Sequence, residues 1–436
     1  MGSPGYGRRY AQHDGAAPTW YEASARTSPT WPALDGNMRV DVCVIGGGYT
    51  GLSCALHLAE RGYRTLLLEA RRIGNGASGR NGGQLGSGHR RDQITLKREL
   101  GAERARLLWS LAEEAKALVR ALVARHGIDC DLKPGIAIAA HRPRYFRALV
   151  HEAEHLRARY GYDQMDVLDG AALRSEVASE DFHGGLMDRG AGHLHPLDYA
   201  RGLARAAAET GVDIREETPV TGLAPGSPYT VQAGPHAVTA DAVVLACNGY
   251  LDALDPGMGG RIMPINNFIL ATEPLGNERA KTLIPRDVAV VDTRFVVNYF
   301  RLSRDGRLLF GGGETTSNRL LADPGPLVRR CMLRIFPQLA DVRIDHAWGG
   351  TLAITRTRMP SIGRLEGGLY YGQGYSGHGV ALATLGGALI AEAIAGTLER
   401  FDVFAKLPQP PFPGGRFLRW PTLALALTYG ALRDRL

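Results

Sequence analysis

The sequence lacks the features by which several classes of protein are recognised. It has 436 residues and only five cysteines, which are widely spaced and form no C-x-x-C pair. This pattern excludes a disulfide framework and a cysteine zinc site, and no other metal site is predicted. No run of about 18 apolar residues exists, so no integral membrane segment is predicted. The N-terminal stretch carries no apolar signal segment, and we expect a cytoplasmic protein.

Lysine is scarce as well. Only five of the 51 basic residues are lysines, so arginine provides most of the net charge of +7. The arginines are scattered, and no basic block is interleaved with aromatic residues. This distribution is typical of an ordinary charged surface and argues against nucleic-acid binding. Glycine, by contrast, is abundant at 56 residues, as in folds whose backbone approaches a ligand closely.

The periodicity of the chain changes along its length. Residues 1–37 show no steady period, and we expect an extension that lies over the surface or is partly mobile. Helices are predicted over about 143–160, 198–210 and 99–126. The last of these has one apolar face, formed by Leu107, Leu111, Ala115, Leu118 and Leu122.

The second half of the chain has a different pattern. Short β-rich segments separated by turns predict an antiparallel sheet between residues 262 and 315. These segments are 267–271, 288–291, 295–300 and 307–310. Together with a βαβ pattern near the N-terminus, they indicate two domains of different character. Residues 422–432 predict a short apolar helix that docks on the core, with contact to a membrane surface or partner as the alternative.

The clearest motif is a G-x-G-x-x-G over residues 46–51, directly after a predicted strand. A helix follows it, and a second strand, 65–68, ends at Glu69, eighteen residues beyond Gly51. In this context the motif predicts a dinucleotide site. It does not choose between FAD and NAD, but the acidic Glu69 argues against NADP because it would repel a 2′-phosphate.

Each part of this motif has a physical role. Gly46 permits a tight turn, Gly48 lets the pyrophosphate approach the backbone, and Gly51 lets the helix pack closely on the strand. The N–H groups at the start of the helix, near Tyr49, attract the phosphates. Glu69 is expected to accept hydrogen bonds from ribose hydroxyls.

Two glycine-rich segments favour a flavin. Residues 71–88 are too rich in glycine for a helix or strand, and their polar side chains predict a loop that wraps a planar ligand. Residues 373–379 follow a predicted strand and precede a long apolar helix, whose N-terminal dipole would stabilise the negative charge of a reduced flavin. Within this segment His378 is either catalytic or a satisfied structural histidine.

The sequence resembles the D-amino-acid-oxidase-type FAD oxidoreductase family, and within it the gamma-glutamylputrescine oxidoreductase-like branch. The resemblance runs through most of the chain. The segments that carry it are 41–51, 76–84, 192–196, 241–249, 299–302, 308–313, 358–360, 375–379, 401–406 and 412–415.

The resemblance implies an α/β fold with an α+β second domain. A discontinuous Rossmann-like FAD-binding domain would comprise residues 38–90, 193–261 and 346–436. An antiparallel-sheet substrate domain would comprise 91–192 and 262–345, and 1–37 would be an N-terminal extension.

The motifs and the resemblance together also imply a set of FAD contacts. Val220 would contact the adenine through its backbone, and residues 246–249 would close on the dinucleotide. The full set is Gly46, Gly48, Tyr49, Thr50, Gly51, Glu69, Ala70, Ala77, Ser78, Asn81, Gly82, Gly83, Gln84, Leu85, Val220, Cys247, Asn248, Gly249, Gly374, Tyr375, Ser376, Gly377, His378, Gly379 and Val380.

The implied chemistry is hydride transfer from a C–H bond beside nitrogen to flavin N5, hydrolysis of the imine, and flavin reoxidation by O2 or another acceptor. Relatives that oxidise N-methylated amino acids carry a Lys where Val380 or Ala381 stands, which favours an amine or a longer substrate here. No cysteine occurs over 349–360, so noncovalent FAD is expected. Tyr299, Arg301 and His378 are the catalytic candidates, and the first two are alternatively sheet residues that pack or face water.

Two other functions stay open from the sequence. One is an NAD-linked dehydrogenase, which would leave the segments 76–88 and 373–379 unexplained. The other is a flavin-containing binding or assembly subunit without turnover, which fold-level analogy does not exclude.

Overall fold

The computed structural model describes residues 18–251, 254–315, 319–414 and 418–435. The first 17 residues of the predicted extension therefore lie outside the described residues. So do Gly415 of the segment 412–415 and two residues of the segment 193–261.

Strands form two mixed sheets. In chain order, the strands of the described residues are β1 (Met38–Ile45), β2 (Thr65–Leu68), β3 (Gln84–Leu85), β4 (Lys133–Ala139), β5 (Met165–Asp169), β6 (Gly184–His193), β7 (Asp213–Arg215), β8 (Val220–Ala224), β9 (Tyr229–Ala233), β10 (His236–Leu245), β11 (Ile262–Thr272), β12 (Ala289–Asp292), β13 (Tyr299–Leu302), β14 (Leu308–Thr315), β15 (Ile344–Thr355), β16 (Ser361–Leu365) and β17 (Leu369–Gln373).

Helices cover both sheets. In chain order they are α1 (Trp20–Ser24), α2 (Tyr49–Ala59), α3 (Gln93–Leu100), α4 (Ala102–Arg125), α5 (Pro143–Tyr160), α6 (Gly170–Glu176), α7 (Pro196–Glu209), α8 (Pro256–Gly259), α9 (Asn277–Leu283), α10 (Gly325–Ile335), α11 (Gly379–Ile394), α12 (Glu399–Ala405) and α13 (Arg419–Arg435).

The first sheet has the strand order β16-β17-β10-β1-β2-β7, with β9 on β10 and β8 on β9. Its central strands are parallel, since β1 pairs in parallel with both β10 and β2. Successive residues of β1 face opposite sides: Val42 and Val44 belong to a core with α2, α4, α7 and α11, whereas Cys43 and Ile45 belong to a core with β8 and β9. Because both faces are covered, the strand reads as a continuous apolar run.

The second sheet has the order β15-β11-β14-β13-β12-β4-β6-β3, with β5 beside β6. Its pairs are antiparallel except for β12 with β4. The predicted strand over 295–300 is shorter than expected, because β13 begins only at Tyr299. Most strands of each sheet come from the segments predicted for one domain. Two exceptions are β3 and most of β15, which belong to the second sheet but fall in segments assigned to the FAD domain. The domain limits themselves stay a prediction.

The long helix α4 corrects one sequence expectation. Leu107, placed on the apolar face, is 47% exposed. Leu111, Ala115 and Leu122 of the predicted face are buried, and Leu108 joins them in the buried stripe. Leu107 lies next to this stripe on the helix surface, because its spacing from the other residues of the predicted face fits the 3.6-residue period only approximately.

The described part of the N-terminal extension is not a loose surface segment. Trp20 and Tyr21 are 3% and 0% exposed, and α1 begins with a capping box formed by Thr19 and Glu22. The ring of Tyr21 packs edge-on against His195 and Trp348, with centroid distances of 4.9 and 5.2 Å. Two buried aromatic rings therefore anchor this segment to the fold.

The C-terminal helix α13 docks as predicted at one position. Leu423 is buried and packs with Met263, Ile265 and Ile354 of the second sheet. Asp434 accepts a hydrogen bond from the Phe295 amide at 2.8 Å, which holds the far end of the helix. No single helix of the described residues is long and apolar enough to cross a membrane; α11 and α12 would pass that test only as a pair, and they are bent by 119°.

Substituting Gly51 tests the packing of α2 on the first sheet. A Cβ at Gly51 would lie 1.9 Å from the Gly46 carbonyl oxygen, a backbone atom that cannot move alone. We expect Gly51→Ala to lower the free energy of unfolding by more than about 3 kcal/mol, because overpacking displaces the helix. The matched control is Gly36→Ala, where a Cβ meets nothing within 4 Å. Thermal unfolding of both variants is the measurement, and equal stabilities would contradict the packing argument.

Candidate active site

A cavity is lined by residues of both sheets, and its empty space is about 1650 Å³ when the part that opens to solvent is included. The first sheet contributes the starts of α2 and α11, and the second contributes side chains of β11, β12, β13, β14 and β15. Apolar side chains form part of its wall: Ile265, Val291, Val297, Leu352, Ile354 and Leu423. Leu423 comes from α13. A cavity of this size and mixed lining suits a large ligand with a small number of polar contacts.

The start of α2 opens into this cavity. Gly48 is its N-cap and supplies no side-chain hydrogen bond, while the Tyr49 amide donates to Ser78 Oγ at 3.0 Å. A Cβ on Gly48 would lie 2.9 Å from the same oxygen, and one on Gly46 would lie 2.8 Å from the Ala246 carbonyl oxygen. These two glycines therefore permit the close approaches that the sequence motif predicts.

Glu69 is held at the end of β2 by backbone groups. Its Oε2 accepts from the Gly47 amide at 2.7 Å, and its Oε1 accepts from the Arg71 amide at 2.9 Å. Burial raises the pKa of this carboxyl, while the two backbone hydrogen bonds act in the opposite direction. Ionised carboxylates can accept about four hydrogen bonds, so acceptor capacity for a ribose remains.

The loop after β2 keeps its shape through its own side chains. Asn81 Nδ2 donates to the carbonyls of Ala77 and Ser78, both at 3.0 Å, and its Oδ1 accepts from the Gly83 amide at 2.7 Å. Gln84 Nε2 donates to the Val290 carbonyl at 2.9 Å. These side-chain amides fix the loop around the cavity, which both residues also line.

The segment before α11 meets the first motif directly. The Tyr375 and Thr50 hydroxyls are hydrogen-bonded at 2.7 Å, and the Gly374 amide donates to Asn248 Oδ1 at 2.9 Å. His378 is the N-cap of α11 and, like Gly48, forms no side-chain cap. Two helix N-termini without a side-chain cap thus face one cavity, which fits a ligand with a pyrophosphate and an anionic ring edge, as FAD has.

His378 lines the cavity as an uncharged group. Its Nδ1 is buried without a hydrogen-bond partner among the described residues. Burial first, and then the charges of Arg90 and His89, lower the pKa of its imidazole to about 3. The ring is therefore neutral near pH 7 and can donate one hydrogen bond and accept another.

Tyr299 also lines the cavity. Its hydroxyl donates to Asn267 Oδ1 at 2.5 Å, and its ring lies so close that a Cβ on Gly82 or Gly311 would fall 2.6 or 2.1 Å from a ring carbon. Burial raises the pKa of this phenol far above its usual value. Tyr299 therefore stays protonated and serves as a fixed hydrogen-bond donor and a wall.

Arg301 does not line the cavity. Its side chain is 1% exposed, its Nε donates to the Gly82 carbonyl at 3.1 Å, and its guanidinium lies 5.9 Å from the Tyr21 ring centroid. Of its two predicted roles, the structural one matches this position. Arg301 holds the glycine-rich loop of residues 71–88, here called the flavin loop, through its hydrogen bond to Gly82.

The predicted FAD contacts divide into two groups. Those that line the cavity are Gly48, Tyr49, Thr50, Ala77, Ser78, Asn81, Gly82, Gln84, Asn248, Tyr375, Ser376, Gly377, His378, Gly379 and Val380. The others are not among its lining residues and are Gly46, Gly51, Glu69, Ala70, Gly83, Leu85, Val220, Cys247, Gly249 and Gly374. Val220, the predicted adenine contact, is 2% exposed in β8. Their contacts with FAD stay predictions.

Four charged residues that line the cavity were not predicted as site residues: Arg80, Arg90, Glu314 and Arg358. Arg80 is paired with Glu22 at 3.3 Å. Burial raises the pKa of Glu314 to about 7, against the opposing charges of Arg358 and Arg90. Arg358 belongs to a segment that carried the resemblance, but no local pattern distinguishes Glu314 or Arg90 from surface charges.

Residues 41–393 match the family described as FAD dependent oxidoreductase (DAO). The chain belongs to this family, and it is an FAD-dependent enzyme. The fold class and the cofactor predicted from the sequence are thereby confirmed, and the NAD-linked and non-catalytic alternatives are set aside.

Two curated relatives cover nearly the whole chain. It is 44% identical over 419 residues to gamma-glutamylputrescine oxidoreductase of Escherichia coli (strain K12), covering 96% of this chain and 98% of that protein. It is 40% identical over 418 residues to the probable oxidoreductase OrdL of Rhizobium meliloti (strain 1021), covering 96% and 97%. Among solved structures, glycine oxidase from Geobacillus kaustophilus matches with a TM-score of 0.71 at 22% identity, over 85% of this chain and 100% of that one. This last likeness supports the fold.

Removing the Glu69 carboxylate tests its place in the FAD site. Glu69→Ala removes the expected acceptor of the ribose hydroxyls, and a hydrogen bond to a charged group contributes about 1.5–3 kcal/mol. We expect the Kd for FAD to rise by about tenfold to hundredfold. Titration of the apoprotein with FAD, followed by flavin fluorescence, is the measurement. Glu217→Ala, at a half-exposed neighbour of Arg71, is the control, and an unchanged Kd in Glu69→Ala would disprove this role.

Proposed function

We propose that this enzyme oxidises the C–N bond of a small amine or an N-substituted amino acid, and that a gamma-glutamylputrescine-like amine is its substrate. The likeness to gamma-glutamylputrescine oxidoreductase over almost the full length of both chains carries this proposal. The cavity adds independent support, because it places charged side chains among apolar walls beside the predicted flavin loop.

Bound FAD supplies the hydride acceptor, and the imine product hydrolyses in water. The chain itself contributes position and environment. Its apolar walls exclude water, which favours the neutral amine over the ammonium form. Tyr299 fixes one wall through its hydrogen bond to Asn267, and the neutral imidazole of His378 offers a buried nitrogen to a nearby proton donor.

FAD is bound noncovalently, since no cysteine is among the described residues that line the cavity and His89 Nε2 is hydrogen-bonded to the Leu108 carbonyl at 2.9 Å. Release of free FAD by acid precipitation would support this attachment. The electron acceptor is O2 or another oxidant, and the enzyme acts in the cytoplasm.

The substrate class is tested by anaerobic reduction of the bound flavin. We expect gamma-glutamylputrescine to bleach the visible spectrum of the oxidised flavin, because the C–H bond beside its amine would supply the hydride. Simple N-methylated amino acids should bleach it slowly. The spectrum of the holoenzyme is recorded with each compound in turn. Subsequent admission of air distinguishes an oxidase, which recovers its spectrum within turnover time, from a dehydrogenase. A flavin that no amine bleaches would refute the proposal.

The pH dependence of the reaction identifies the group that titrates in the site. The Glu314 carboxyl, with a raised pKa of about 7, is protonated below that pH and ionised above it. Because only the ionised form attracts a cationic substrate, we expect kcat/KM to rise through about pH 7. His378, with a pKa lowered to about 3, stays neutral over this range.

Two variants separate these groups. Glu314→Gln should abolish the ionisation near pH 7 in the kcat/KM profile, whereas His378→Gln should keep it and lower all values by a constant factor. An ionisation that disappears in His378→Gln and persists in Glu314→Gln would assign the titration to the histidine and contradict this prediction.

A further inference from the structure

Three charged side chains converge on the cavity without pairing to one another. Glu314 comes from β14, Arg358 from the turn between β15 and β16, and Arg90 from the segment between β3 and α3. The three interact through their charges, yet within the described ranges no ion pair of 4.0 Å or less joins any two of them. The three groups therefore act on one another through their charges without forming a direct ion pair.

Their hydrogen-bonding capacity is also unused. In the part of the chain that the structure describes, the guanidinium groups of Arg90 and Arg358 donate to no protein acceptor, and the Glu314 carboxylate accepts from no protein donor. Most other arginines near the site are engaged, as Arg294 is with Asp292 and Asp181. Arg90 is exposed, and Arg358 and Glu314 are half-buried. Charged groups that line one cavity with unused hydrogen-bonding capacity are suited to a charged ligand.

The backbone at Arg358 adds a second observation. Its φ angle is +61°, in the left-handed region that non-glycine residues adopt only at a cost. The Arg358 amide donates to the Thr355 carbonyl at 3.2 Å, which closes the turn. Strained positions of this type concentrate at ligand-binding sites, where they direct a side chain that another conformation would place elsewhere.

We propose that Arg90, Glu314 and Arg358 recognise the zwitterionic α-amino-acid head of the substrate, with the guanidinium groups binding its carboxylate and Glu314 binding its ammonium. This inference rests on the proposed amine oxidation and names the part of the substrate that does not react. Planar guanidinium groups suit a carboxylate because they donate two parallel hydrogen bonds.

The charge balance of the trio excludes simpler ligands. Two positive charges and one negative charge repel a free diamine, whose ends are both cationic. A carboxylate alone would leave Glu314 unpaired. A zwitterionic head with a carboxylate and an ammonium on one carbon meets all three groups. A metal ion has no support, since the described residues hold no cluster of three or more metal-binding side chains.

Substrates with altered heads provide the test. The holoenzyme is assayed with gamma-glutamylputrescine, with glutarylputrescine, which lacks the α-ammonium, with 4-aminobutanoylputrescine, which lacks the α-carboxylate, and with putrescine. We expect kcat/KM to fall by about tenfold to hundredfold for each missing charge, as for the loss of a charge-assisted hydrogen bond. Equal rates for intact and truncated heads would overturn the inference.

Variants assign each charge to its residue. Glu314→Gln should lower kcat/KM about tenfold or more for gamma-glutamylputrescine and leave glutarylputrescine almost unchanged. Arg90→Gln and Arg358→Gln should do the same for the intact head and spare 4-aminobutanoylputrescine. Because each comparison is a ratio within one variant, partial misfolding cancels. Losses of equal size for all four compounds would instead indicate a structural role and refute the assignment.

Matched controls lie next to the trio. Arg91 is ion-paired with Glu99, and the exposed Arg356 donates to the Pro411 carbonyl at 3.1 Å. Arg91→Gln and Arg356→Gln should leave the preference for the intact head unchanged. If either removed this preference, general surface charge rather than the trio would explain it.

A binding measurement separates this inference from the proposed function. Gamma-glutamylethylamide carries the zwitterionic head but lacks the terminal amine of the putrescine part, and its binding is followed by perturbation of the flavin spectrum. If no amine bleaches the flavin yet this compound binds and the Glu314→Gln and Arg358→Gln variants weaken it by tenfold or more, only the proposed oxidation fails. If amines are oxidised but this compound binds all variants equally, only the inference fails.

Discussion

The close contact between the start of α2 and the ends of β1 and β10 is the constraint on which the site depends. Gly51 sits against the Gly46 carbonyl, and Gly46 sits against the Ala246 carbonyl, with no room for a Cβ at either glycine. This contact points the N-terminus of α2 toward the cavity without a side-chain cap. The Thr50–Tyr375 hydrogen bond then fixes α11 to the same place, so two segments more than 300 residues apart share one function.

Local patterns could predict the elements that local forces determine. The strand Thr65–Leu68 and the helix Pro143–Tyr160 have the predicted bounds, because apolar runs and proline or glycine at their ends define them. Tertiary contacts decided the rest. Leu107 lies beside the buried stripe of α4, and Tyr21 is drawn into the core by His195 and Trp348, which no period in the N-terminal segment could indicate.

The same distinction applies to the site. Gly48, Ser78 and Tyr375 lie in motifs, and the structure brings them to one cavity. Tyr299 and Arg301 point to the same face of β13, as alternate strand residues must, but Gly82 of the loop covers Arg301 and leaves only Tyr299 in the cavity. Since the covering loop is more than 200 residues away in sequence, spacing alone could not separate the two roles.

The cavity combines fixed and titrating charge in a way that suits a two-part ligand. The helix ends contribute partial positive charge that no pH change removes, and they face the region of the flavin loop. Glu314, by contrast, has a pKa raised to about 7 by burial, so its charge depends on a neighbour of opposite sign. Because Arg90 and Arg358 lower that pKa only in part, an incoming ammonium would complete the ionisation of Glu314. Binding of an ammonium group and ionisation of the Glu314 carboxyl are then coupled. With the two arginines beside Glu314, this coupling favours ligands that carry a carboxylate and an ammonium together.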